Sequence, residues 1–140
     1  MIQVNRFAIK MRGEPYDSLS HRSRLIVDGQ LTSFSVPGHT LLHQFETSSC
    51  YLLVTDYDCP FEESVCFVAI SKDIRRTLDS RCVGAPYASY LLKDIHWTDE
   101  RHFYATFVDR TDRWSFSIRE HEIPMLRRKL KMIRLSGQDI

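Results

Sequence analysis

CYLLVTDYDCPFEESVCFVAIS, residues 50–71, is the stretch whose reading decides the fold. Two short apolar runs, 51–54 and 65–70, flank a segment that carries Asp56, Asp58, Glu62 and Glu63. Runs of this length, apolar throughout and bounded by turn residues, read as buried central strands. Between them Pro60 removes a backbone donor and fixes φ, so 56–63 reads as a shaped loop.

Toward the N-terminus the next firm signal is Asp28–Gly29, set between apolar stretches at 24–27 and 31–36. Asp-Gly supplies the positive φ angles of a tight hairpin turn. Before it, Ile2 and Val4 alternate, as do Phe7, Ile9 and Met11, but the phase slips near Asn5 and Arg6. An inserted residue does this, so 1–11 reads as a bulged first strand. Residues 12–21, with Gly13 and Pro15, read as loop. Pro37–Gly38 breaks the second hairpin strand, and 40–45 is a further strand candidate.

Toward the C-terminus, 72–80 is polar, and Ile74 and Leu78 leave it open between a helical turn and a short edge strand. In 91–97, Leu91, Ile95 and Trp97 oppose Leu92, Asp94 and His96. Residues 103–108 and 114–118 form a second hairpin pattern: Phe103, Ala105 and Phe107 on one face, matched by Trp114, Phe116 and Ile118. In the tail the period changes. Ile123, Leu126, Leu130 and Ile133 recur at three and four, opposite Arg127, Arg128, Lys131 and Arg134. With Pro124 suited to a first turn and Glu122 beside it, this predicts an amphipathic α-helix over 122–136. The expectation is a mainly β domain over 1–140, an antiparallel β-sandwich or partly open barrel (1–121) with a C-terminal helix.

At 140 residues, 43% hydrophobic and 26% charged, the chain has globular rather than disordered composition. A net charge of +1 makes no general case for nucleic acid or a membrane surface. Its distribution is uneven: 46–71 has acidic residues and no Lys or Arg, while 119–134 is rich in both. No signal-like apolar region or span-length run occurs, so a soluble, cytoplasmic protein is expected. The oligomeric state is not legible. Cys50, Cys59, Cys66 and Cys82 form no C-x-x-C pair, and two sit in or beside apolar strands, so reduced structural thiols are the reading.

The acidic loop is the first candidate site. Asp56, Asp58, Glu62 and Glu63 provide charge, and Tyr57 and Phe61 provide aromatic anchors of the kind that dominate interfaces. The same carboxylates suit a hard divalent cation, but an EF-hand count puts Phe61 where Gly is needed and Phe67 where Glu is needed. Tyr57 and Phe61 also suit the core. His39 and His43 are four apart, as in a helical metal pair; on a strand that is roughly 13 Å, too far to share an ion. Cys59 sits among carboxylates, which raise a thiol's pKa and blunt it. No G-x-S-x-G, phosphate loop or H-E-x-x-H occurs, so enzyme is the minority reading and no cofactor is implied.

Thr55, Asp56, Pro60, Phe61, Glu62 and Glu63, then Leu78, Asp79, Gly84 and Tyr87, resemble the T-D-x-x-P-F-E-E and L-D…G-x-x-Y pattern of a group of small uncharacterised bacterial proteins. This chain has one residue more between Asp56 and Pro60. In style, a compact domain with a concentrated acidic loop also resembles bacterial toxin-immunity proteins. That resemblance implies a non-enzymatic module that docks a basic protein partner, such as a toxin or enzyme, through Asp56–Tyr57–Asp58 and Phe61–Glu62–Glu63. A metal- or small-ligand-binding β-domain, with or without hydrolytic activity, is the second reading. Nucleic-acid binding through Arg127, Arg128 and Lys131 is the third.

Overall fold

The computed structural model describes residues 1–10, 22–57, 64–84, 90–120 and 128–135. Among them, β6 (Tyr51–Asp56) and β7 (Val65–Ile70) pair antiparallel from Tyr51↔Ile70 to Asp56↔Val65. They lie inside a five-stranded sheet of order β1 (Ile2–Gln3), β5 (Thr40–Glu46), β6, β7 and β8 (Thr77–Val83). A three-stranded sheet, β2 (Phe7–Ile9), β3 (Arg22–Val27) and β4 (Gln30–Pro37), covers one face of it. On the other face lie β9 (Leu92–Asp99), β10 (His102–Phe107), β11 (Arg113–Ile118) and β12 (Leu130–Leu135), in the order β12-β11-β10-β9. All pairings are antiparallel, and the sheets stack as layers rather than closing into a barrel.

The layering explains the uninterrupted apolar runs. All of β7 and all of β6 up to Thr55 are buried. A strand covered on one face alternates; a strand covered on both cannot. Leu52, Val54, Phe67 and Ala69 face Phe103, Ala105, Phe107 and Phe116. Leu53, Val68 and Ile70 face Phe7, Leu25 and Val36. Each Val, Leu, Ile or Phe among them removed from water contributes about 1.5–3 kcal/mol before entropy is counted.

The Asp28–Gly29 turn is as expected, with φ of 50° and 84° at its two positions. The second hairpin has its predicted inner face, and Asp109, at φ 58°, supplies the positive φ in its glycine-free connector. Residues 77–83 are the edge strand rather than a helical turn.

Four expectations are corrected. Residues 1–9 are two strands in two sheets, not one bulged strand: β1 pairs with β5, and β2 crosses to β3. The phase slip at Asn5 and Arg6 marks that crossing. Leu92, not Leu91, turns inward with Ile95 and Trp97, because the β9–β10 register shifts next to Phe107. Leu91 is exposed. The C-terminal helix fails over 130–135, which pair with β11 from Arg113↔Leu135 to Ile118↔Leu130. Residues 121–127 and 136 lie outside those described. Leu130 and Met132 face the core while Ile133 faces solvent; that outward Ile, three residues after Leu130, imitates a helical period. Finally, Cys66 and Cys82, directly opposed on β7 and β8, form a disulfide. Cys50 is a free, buried thiol and Cys59 lies outside the described residues.

Candidate functional site

The chain passes from the three-stranded to the five-stranded sheet at Pro37–Gly38–His39. There the Ser23 hydroxyl donates to the Gly38 carbonyl at 2.6 Å, the Thr55 hydroxyl to the Pro37 carbonyl at 2.9 Å, and the His39 N–H to the Asp56 carbonyl at 2.7 Å. Gly38 has φ +102°, and a Cβ there would stand 2.6 Å from that of Thr55. No other residue type fits so close an approach without displacement.

The N-terminal crossing is pinned by one side chain. Gln44 Oε1 accepts the N–H groups of Arg6 (2.8 Å) and Phe7 (2.9 Å), and its Nε2 donates to the Phe7 carbonyl (3.0 Å). Arg6 reaches the Asp28 carboxylate through Nε and Nη2 and donates to the Tyr51 hydroxyl through Nη1. That hydrogen-bonded guanidinium holds the Asp28 carboxyl below its usual range.

These two crossings leave a groove between them. Its volume is about 830 Å³, and its walls are residues 3–5 and 7–9 on one side and 39–44 on the other. β1 pairs with β5 only at Phe45 and Glu46, and Val4 N–H then donates to the Gln44 carbonyl at 3.1 Å before the chain departs. Beyond that point no described strand pairs with this edge of β5, and β2 is the outer strand of its own sheet. The groove therefore runs between two strand edges from different sheets. Exposed Ala8 and Thr40 lie on its opposite walls.

His39 and His43 both line this groove but diverge. His39 meets Tyr57 edge to face at 5.3 Å, with Nδ1 3.2 Å from the Tyr57 carbonyl. His43, beyond a register shift after Leu41, stacks on Phe45 at 5.8 Å and points toward the four-stranded side. Burial lowers the His43 pKa, opposed by the Asp94 charge. Among the described residues no three His, Cys, Asp or Glu side chains gather as a metal would need.

Of the predicted loop residues, two are described. Asp56 ends β6, half-buried, and Tyr57 is half-buried with its ring against the second core. Burial raises the Tyr57 phenol pKa. Tyr57 thus packs one side of its ring on the core. Asp58, Phe61, Glu62 and Glu63 lie outside the described residues. The Tyr57 N–H donates to the Ser64 carbonyl at 3.3 Å, and Tyr57 stands beside His39. The groove itself has no motif in the sequence; Gln3, Asn5, Ala8 and Thr40 carry no signal beyond the phase slip between Val4 and Phe7.

Basic groups collect elsewhere. Arg128, Lys131 and Arg134 belong to β12 and the residues just before it, not to a helix face. No helix among the described residues is long and apolar enough to cross a membrane. No protein-family model, curated protein or solved structure matches the chain.

Proposed function

We propose that the protein is a non-enzymatic binding module that takes an extended, basic segment of a protein partner along the edge of β5. The observation that carries this reading is the groove of about 830 Å³ between the edges of β5 and β2, lined by exposed Ala8 and Thr40. Backbone groups on a strand edge supply affinity for any extended chain, and side-chain pockets along it supply choice. The basic character of the partner is argued from Asp56 and from Asp58, Glu62 and Glu63, which follow it in the sequence. Such charges steer encounter and reject acidic competitors.

The test is a peptide-display selection against the whole protein, repeated with Ala8→Arg, which fills the groove from β2. Expected are extended Lys- and Arg-containing peptides that protect the Thr40–Leu42 amides from exchange and are lost on Ala8→Arg. Peptides that bind a folded Ala8→Arg variant equally well overturn the reading. A groove of this volume also suits a small ligand. That second reading predicts a metabolite whose binding is lost with Ala8→Arg while no peptide is selected.

A further inference from the structure

At the opposite side of the molecule, the edge strands of two sheets meet. The Asp79 side chain of β8, only 6% exposed, accepts the Leu130 N–H at 2.9 Å and the Arg128 Nε at 3.0 Å. Arg128 also donates to the Ser80 carbonyl at 2.7 Å. Arg81 Nε donates to the Leu130 carbonyl at 3.2 Å, and Arg119 Nη1 to the Arg128 carbonyl at 2.9 Å. Lys129, 3% exposed, donates its ammonium to the Glu120 carbonyl at 3.1 Å. The Glu120 carboxylate turns the other way, 3.9 Å from Arg101.

Three guanidinium groups therefore gather at one seam, Arg128 paired with Asp79 and Arg81 within reach of the charges of Arg128, Asp79 and Arg119. Backbone carbonyls fix Arg81 and Arg119 by one nitrogen each, which orients the remaining N–H groups without neutralising them. Burial lowers the Arg81 pKa, and the Arg128 and Arg119 charges add to that while Asp79 opposes it. Like charges held together in a half-buried place are costly unless an anion completes them. The planar fork of Arg matches the oxygens of a phosphate.

We propose that this β8–β12 seam is an anion site that holds a phosphate dianion, free or as a monoester, on Arg81 and Arg119. It is independent of the β5 groove. The aromatic ladder on the outer face of the four-stranded sheet makes no comparable base-stacking site. There Tyr104 has His96 on one side (4.8 Å) and Arg113 on the other (4.5 Å), so both ring faces are already covered.

The experiment is a thermal and calorimetric titration of the whole protein with inorganic phosphate and with glycerol phosphate, against sodium chloride at equal ionic strength. Expected is a saturable rise in melting temperature with either phosphate and none with chloride, and at least tenfold weaker binding in Arg81→Gln and Arg119→Gln. On the wild type, phosphate should move the Nε–H resonances of Arg81 and Arg119, a readout that does not depend on the variants folding. Tighter glycerol phosphate than inorganic phosphate assigns the site to a monoester group. Equal stabilisation by chloride, or phosphate-dependent shifts confined to other residues, overturns the proposal.

Discussion

On one face of the β6–β7 pair, Phe67, Phe103 and Phe116 lie with ring centroids 4.3–5.9 Å apart, backed by Phe107, Ile118 and Leu130. On the other face, Leu53, Val68 and Ile70 meet Phe7, Leu25 and Val36 of a shorter sheet, with hydrogen bonds from Gln44, Ser23, Thr55 and Arg6 at its corners. The first layer is held by area and ring packing, the second by a smaller apolar cluster with a few polar pins at its corners. Area-based cohesion degrades gradually with each atom removed. Pinned corners fail one at a time, and they sit beside the groove. The layer expected to loosen first is the one that borders the proposed docking edge.

That contrast can be broken most forcefully at its centre. Phe67→Ala removes the ring shared by Phe103 and Phe116 and is expected to cost about 3–5 kcal/mol, measured by denaturant melts. A smaller loss than that of a corner substitution would invert the ranking. Gly38→Ala combines positive φ with a Cβ against Thr55 and should cost roughly 3 kcal/mol. Amide exchange should then quicken in β3 and β4 more than in β10 and β11, whereas uniform quickening would mean the two layers unfold as one. Gln44→Leu strips three hydrogen bonds at similar volume and should cost about 2 kcal/mol. Its signature is local: faster exchange at Arg6 and Phe7, and weaker binding of groove peptides. Tyr51→Phe removes only the hydroxyl that Arg6 reaches, for less than about 1 kcal/mol.

The smallest effect concerns pH. His43 has a folded pKa below its unfolded value, so the unfolded chain binds the proton more readily. The stability it contributes is present above about pH 6.5 and is lost as pH falls through the lower folded value. Between pH 7.5 and 5, His43→Gln should flatten part of the fall in melting temperature. An unchanged profile would place the sensitivity elsewhere.

The fold was legible where chemistry is local. Asp28–Gly29 needs positive φ, Phe103 and Phe116 alternate with polar neighbours, and the runs at 51–54 and 65–70 are too apolar for a surface. What failed depends on partners distant in sequence. Whether 130–135 coils or extends is decided by β11, and an edge strand with outward Ile133 carries a weak alternation. The Cys66–Cys82 bond follows from a register that spacing cannot set. Of the predicted site, Asp56 closes β6 and Tyr57 packs against the second core, while Asp58, Phe61, Glu62 and Glu63 lie outside the described residues. The groove was not legible, because two strand edges from separate sheets form it, and an edge is a property of topology rather than of residue type.

A hairpin apolar on both sides also has a history during synthesis. The sheet that covers its first face is encoded before it, by residues 7–37, so that cover is available once β7 is made. The cover for its second face runs from residue 92 to 135 and arrives only later. For that interval Leu52, Val54 and Phe67 have no mate on that side, and transiently exposed apolar surface of this kind favours aggregation until the second cover is made.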